Sequence, residues 1–137
     1  MGATLTSMLA GARTAQVRRH RLRDRLADLG EQCESCAAAC ADYVDACLDS
    51  TALDEARAHV KAASDCMDIC RAAARLLARH DGMDSRVLRG ALVLCARACT
   101  ACARLARQQA AGHACARECR RCAFACAALA AGFLWRL

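Results

Sequence analysis

Thirteen cysteines lie among 137 residues, and they are the residues of this sequence best equipped to do chemistry. They fall into four sets: Cys33, Cys36, Cys40 and Cys47; Cys66 and Cys70; Cys95, Cys99 and Cys102; and Cys115, Cys119, Cys122 and Cys126. Within each set every step is three, four or seven residues, the spacing that places side chains on one face of an α-helix. Thiolate sulfur is a soft ligand suited to Cu(I), zinc and iron–sulfur clusters. A disulfide framework fits poorly. The count is odd, and helix neighbours four residues apart hold their Cβ atoms about 5–6 Å apart, against about 3.8 Å in a disulfide. Plain packing fits poorly too, because Ala, Val or Leu would fill thirteen core positions without the risk of oxidation.

Four helices are needed to carry these sets. The chain has no proline, only 3% aromatic residues, and an abundance of Ala, Leu and Arg, a composition that sustains long helices. Cap and glycine signals at Asp49-Ser50-Thr51, His80-Asp81-Gly82-Met83-Asp84-Ser85 and Gln109-Ala110-Ala111-Gly112 divide it. The expected helices span roughly residues 18–49, 52–80, 85–109 and 113–135, with Gly30 a mild weakness inside the first. Connections this short make consecutive helices antiparallel neighbours. The expected fold is therefore all-α: an antiparallel up-down four-helix bundle forming one domain over residues 1–137. Residues 4–12, capped by Thr4, are expected to form a short extra helix, with segment 1–17 packing along the bundle.

The cysteine faces are also the apolar faces. Leu22, Leu26 and Leu29 extend the first stripe, Ala73 and Leu77 the second, Leu88 and Leu92 the third, and Leu129 and Phe133 the fourth, so the cysteines occupy the core seam. Heights counted from the end bearing the 50–52 and 110–112 connections, at about 1.5 Å per residue, put Cys47 and Cys115 outermost, then Cys102 with Cys119, then Cys40 with Cys99 and Cys122. A ring of Cys36, Cys66, Cys95 and Cys126 lies about 22 Å in, followed by Cys33 and Cys70. Below that the seam turns to leucine. The expected interior is a thiol-lined tube, open at one end and plugged by hydrocarbon at the other.

Structural zinc uses isolated four-ligand sets, and iron–sulfur proteins use discrete sets that usually lie in loops. A continuous ladder of thiols suits bridging Cu(I) thiolate instead, with a capacity of about one Cu(I) per Cys. His59, seven residues before Cys66, shares its face and falls near the open end; metal ligation and an ordinary hydrogen-bonded core histidine are both open readings. His113 beside Cys115 is a candidate uptake ligand at the mouth. Glu55 reads as a solvated first-turn acid and Tyr43 as a wall residue of the seam. No Ser–His–Asp set, phosphate-binding glycine loop or paired-carboxylate cleft is present, so no enzyme activity is expected.

The formal net charge is +6. The run Arg18-Arg19-His20-Arg21-Leu22-Arg23-Asp24-Arg25 reads as a solvated helix face rather than a nucleic-acid surface, since no aromatic residue interleaves it for base stacking. No stretch approaches about 18 apolar residues without a charge, and no export signal precedes the first helix. The expectation is a soluble cytoplasmic protein.

The motifs C33-E-S-C-A-A-A-C40, C66-M-D-I-C70, C95-A-R-A-C-T-A-C102 and C115-A-R-E-C-R-R-C-A-F-A-C126 resemble those of the four-helix-bundle copper storage proteins, in their cytosolic branch. The resemblance covers nearly the whole chain. It implies multiple Cu(I) ions held by the core cysteines, one open and one closed bundle end, assembly as a homotetramer, and uptake helped by His or Met at the open end, where His59 and His113 are the candidates. Two other functions compete with copper storage: a Cu(I)-responsive DNA-binding regulator using the Arg-rich first helix, and an iron–sulfur or dithiol redox protein. The first needs only two or three ligands, and the second would be coloured as isolated.

Overall fold

A computed structural model describes residues 4–49, 53–80 and 86–132. Four helices run in order: α1 Leu5–Leu48, α2 Leu53–Ala78, α3 Arg86–Ala106 and α4 His113–Gly132, with a 3₁₀ turn at Ala110–Gly112 before α4. No strand occurs among the described residues. Each helix packs against its neighbours in sequence, and α1 against α4 closes the ring, as expected for an up-down bundle. The caps expected at Ser50, Thr51 and residues 81–85, and the seam position Phe133, lie outside the described residues.

One element differs from the expectation. Residues 4–12 do not form a separate helix; α1 is one helix of 44 residues. Its N-cap is Thr4, whose hydroxyl oxygen accepts from the Ser7 amide at 3.3 Å. No proline interrupts the segment, and Gly11, the only weak residue, costs about 1 kcal/mol relative to Ala, too little to break a run of Ala, Leu and Arg. The N-terminal end consequently projects rather than folding back. Residues 4–21 are exposed apart from half-buried Ala15, so this segment does not pack along the bundle within the chain.

From Leu22 onward the helix enters the core. Leu26 and Leu29 of α1, Leu77 of α2, Leu88 and Leu92 of α3 and Leu129 of α4 are buried together, forming the hydrocarbon section of the seam. Leu92 is fully enclosed, at 0% exposure, and burial of one such side chain is worth about 1.5–3 kcal/mol.

The opposite end is built unevenly. α3 stops at Ala106, and residues 107–112 turn back through amide bonds from Arg107 to Ala103, Gln108 to Leu105 and Gln109 to Ala106. Gly112 is required here because a Cβ at that position would run into the Ala106 carbonyl. It ends the 3₁₀ turn rather than capping α3, and α3 ends three residues earlier than expected. The α1–α2 hairpin therefore reaches further out than the α3–α4 hairpin. Cys36 of α1 touches Cys119 of α4 at 3.7 Å, though it lies twelve residues inside its helix end and Cys119 only six. At the helical rise this is an offset of about 9 Å. Cys40 with Cys115 gives the same offset, while Cys40 with Cys119 and Cys33 with Cys126 give about 3 Å.

Candidate metal centre

All thirteen cysteines are buried and free. Their placement follows from the periodicity: three- and four-residue steps keep each set on the inward face of a straight helix, so the four faces bring their sulfurs together on the bundle axis. Twelve of the sulfurs, all but that of Cys47, form one connected network. Beginning at the mouth, Cys102 meets Cys115 at 3.8 Å, Cys115 meets Cys40 at 3.8 Å, and Cys40 meets Cys119 at 3.7 Å. Cys119 reaches Cys36 at 3.7 Å and Cys66 at 3.8 Å, and Cys66 meets Cys99 at 3.5 Å. Cys70 bridges Cys99 and Cys95, each at 3.7 Å, and Cys33 closes the deep end with Cys122 at 3.8 Å and Cys126 at 4.0 Å.

The levels differ from the count made on the sequence. Cys36 and Cys66 lie together as expected, but their α4 neighbour is Cys119 rather than Cys126. Cys126 instead lies with Cys33, Cys95 and Cys122. The cause is the offset between the two hairpins: counting from a common plane misplaces α3 and α4 by several ångströms against α1 and α2, up to about 9 Å.

Four groups of four sulfurs lie mutually within 4.8 Å: Cys33, Cys95, Cys122 and Cys126; Cys36, Cys70, Cys99 and Cys122; Cys36, Cys40, Cys66 and Cys119; and Cys40, Cys102, Cys115 and Cys119. Every cysteine except Cys47 belongs to at least one of them. Neighbouring groups share sulfurs, so an ion in one has bridging ligands in common with the next.

The network polarises its thiols. The contact with Cys119 holds the Cys36 thiol at about 6, well below an ordinary cysteine. Cys122 is likewise lowered, first by Cys126. Cys40 is raised, first by Cys102 and then by Cys115, and Cys99 is raised, first by Cys119. Protons are thus concentrated on some sulfurs and withdrawn from others. Thiolate is the form that binds metal, and loading the remaining sulfurs releases their protons.

A polar layer caps the thiol section. The Tyr43 hydroxyl lies 2.7 Å from Nδ1 of buried His59 and donates to Oε1 of Gln109 at 3.2 Å, leaving the His59 N–H to donate to the tyrosine oxygen. The rings of Tyr43 and His59 meet edge to face at 6.0 Å. Burial first, and the adjoining Cys47 thiol second, push the Tyr43 hydroxyl up, so it stays protonated. Cys47 is buried one residue before the end of α1, outside the four-sulfur groups. His113 is exposed at the first position of α4, and Glu55 is exposed near the start of α2. Neither is in a four-sulfur group among the described residues. Gln109, which completes the polar layer, was not singled out on the sequence. It sits in a turn that the periodicity assigns to α3, and no residue-type signal marks it.

The fold and site together define a class: a four-helix bundle whose interior is a chain of mutually contacting thiols, able to hold several soft metal ions in series. The comparisons with known proteins agree. The sequence profile of the copper storage protein family matches residues 22–131. The structure is similar to that of a cytosolic copper storage protein from Streptomyces lividans in a copper-loading state with five coppers, with a TM-score of 0.79 and 35% identity over 83% of this chain and 98% of that one. It is also similar to the Streptomyces lividans copper storage protein loaded with 10 copper equivalents, with a TM-score of 0.76 and 35% identity over 80% of this chain and 86% of that one. No curated protein sequence matches. The chain belongs to the copper storage protein family.

Proposed function

We propose that the protein is a cytoplasmic store and buffer for Cu(I), a binding function without turnover, in which the core cysteines are the ligands. The observation that carries this reading is the buried network of twelve thiols in mutual contact. Thiolates in series allow each sulfur to bridge two ions, which suits a singly charged soft metal. With about one Cu(I) per sulfur the positive and negative charges cancel, so a filled core carries little net charge into an apolar interior. Membership of the copper storage family supports the cargo, and the Streptomyces lividans protein, which is described as cytosolic, supports the compartment. No helix among the described residues is long and apolar enough to cross a membrane.

Cys33, Cys36, Cys40, Cys66, Cys70, Cys95, Cys99, Cys102, Cys115, Cys119, Cys122 and Cys126 hold the ions, and Cys47 receives copper at the mouth. His59 and His113 are the candidate uptake ligands. His59 lies at the threshold with Nδ1 turned to Tyr43, so Nε2 is the nitrogen free for a metal; His113 stands on the outer surface. Assembly as a homotetramer belongs to the same reading, and sedimentation velocity tests it.

Anaerobic titration of reduced protein with Cu(I) against a chelator of known affinity tests the storage reading. About one Cu(I) per cysteine is expected, and saturation at one or two per chain overturns it.

A further inference from the structure

The four overlapping sulfur groups conceal a simpler division. Cys33, Cys95, Cys122 and Cys126 form one group at the deep end, and Cys40, Cys102, Cys115 and Cys119 form another at the mouth, with no residue in common. The four thiols left between them are Cys36, Cys66, Cys70 and Cys99. These also contact one another: Cys36 and Cys99 at 3.9 Å, Cys66 and Cys70 at 3.9 Å, Cys66 and Cys99 at 3.5 Å, and Cys70 and Cys99 at 3.7 Å. Cys36 lies within 4.8 Å of both Cys66 and Cys70. Twelve thiols therefore divide without remainder into three separate sets of four, stacked along the axis.

The shape of each set is tetrahedral. A planar square with sides of 3.5 Å or more would have diagonals longer than the 4.8 Å within which all members of a set lie. A tetrahedral zinc tetrathiolate, with Zn–S of about 2.3 Å, needs its sulfurs about 3.8 Å apart. Eleven of the eighteen sulfur pairs within the three sets lie 3.5 to 4.0 Å apart, and the other seven lie within 4.8 Å. The sulfurs of each set, drawn from three helices, surround a point where such an ion fits with shifts of no more than about 1 Å in any sulfur–sulfur distance.

We infer that the copper-free bundle binds divalent d¹⁰ cations, Zn²⁺ foremost, at three tetrahedral four-thiolate sites. This rests on sulfur geometry alone and does not depend on the copper reading. Binding would exchange up to four thiol protons per set for one metal ion, the protons leaving to solvent. The charge balance sets the order of preference. A zinc tetrathiolate leaves two uncompensated negative charges in the core, whereas Cu(I) at about one per sulfur leaves none, and buried uncompensated charge is costly. Copper should therefore expel the divalent ions rather than join them.

Co²⁺ is a spectroscopic stand-in, because tetrahedral tetrathiolate coordination gives it intense visible bands that thiol-free or octahedral coordination lacks. Reduced, copper-free protein is titrated anaerobically with Co²⁺, and Zn²⁺ or Cu(I) is then added. The expected result is a band that saturates at three Co²⁺ per chain and is bleached by either metal. The Cys66→Ser and Cys70→Ser variants each remove the middle set and should saturate at two; Cys47→Ser, outside every set, should still reach three. Helicity by circular dichroism confirms that each variant is folded. Absence of the band in protein that still takes up Cu(I) overturns the inference without touching the storage reading. Saturation at two or fewer in the unaltered chain, or equal loss in the Cys47 and Cys66 variants, also overturns it.

Discussion

The two ends of the core seam share one heptad-like pattern and one set of helices, yet they are held together by different physics. At the closed end Leu26, Leu29, Leu77, Leu88, Leu92 and Leu129 exclude water by hydrocarbon burial. At the other, cysteine occupies the same seam positions and the side chains are too small to supply comparable apolar area. The comparison teaches a division of labour: the leucine section makes the bundle fold before metal arrives, and the thiol section keeps its ligands spaced but weakly cohesive until an ion replaces their protons.

The largest effect that tests this division is that of metal itself. A ligand that binds only the folded chain adds about 4 kcal/mol when present at a thousand times its dissociation constant, and many sites add in series. Thermal unfolding of Cu(I)-loaded protein should shift far above that of the copper-free form, and a competing chelator should reverse the shift. Equal midpoints would show that the thiol section is already fully cohesive.

Single substitutions then separate the ends. Leu92→Ala should cost about 2–5 kcal/mol in denaturant unfolding of the copper-free protein, with Cu(I) capacity unchanged. Cys99→Ala should do the reverse, lowering capacity by about one Cu(I) while costing about 1 kcal/mol or less. If Leu92→Ala reduced capacity as much as stability, the two sections would be one cooperative unit and the division would fail.

Acidity acts only on the thiol end. Cys40, Cys70, Cys99 and Cys126 are raised above the ordinary cysteine range by their thiol neighbours, so each gives up a full proton to solvent when copper binds at neutral pH. Binding must weaken as pH falls, by about one decade per pH unit for each proton released. Cys36, held at about 6, is mostly ionised at neutral pH and adds its proton to the count only below that value. Chelator competition between pH 8 and pH 5, at about half-unit steps, should show the dependence steepening on the acid side. A flat profile would mean that the core is already deprotonated.

The polar layer at the mouth offers a smaller test. Tyr43→Phe removes the hydroxyl that joins His59 to Gln109, at a cost of about 1 kcal/mol for the lost hydrogen bonding. Cu(I) capacity should stay the same, while the initial rate of uptake changes if this layer is the threshold. Stopped-flow loading monitors it.

Much of this contrast is legible in the residue order, because it depends on periodicity. Steps of three, four and seven place Cys33 to Cys47 and Leu22 to Leu29 on one face whatever the tertiary arrangement. What periodicity does not carry is the relation between helices. The offset of the hairpins, up to about 9 Å, accompanies the turn at residues 107–112, where Gly112 closely approaches the end of α3 at Ala106. A count along the chain carries no such tertiary offset, so it pairs Cys36 with Cys126 instead of Cys119. The division of the thiols into three sets was hidden for the same reason: it exists only once the register is right.

The smallest effect is expected where the seam has run out altogether. Residues 4–21 of α1 are exposed apart from half-buried Ala15, and the family match begins only at residue 22. Their helix is sustained by propensity and the Thr4 cap, with no buried face. Isolated helical segments of this length are marginal in water, so this end of α1 should exchange its amide hydrogens fast while Leu26 to Cys47 stay protected. Removing residues 1–17 should change the unfolding free energy by no more than about 0.5 kcal/mol and leave Cu(I) capacity intact. A larger loss of stability, measured at a concentration where the protein is monomeric, would mean that the projecting end holds the leucine section together. A loss that appears only in an oligomer would assign it to subunit contacts. Either result would move the boundary of the hydrocarbon section out past Leu22.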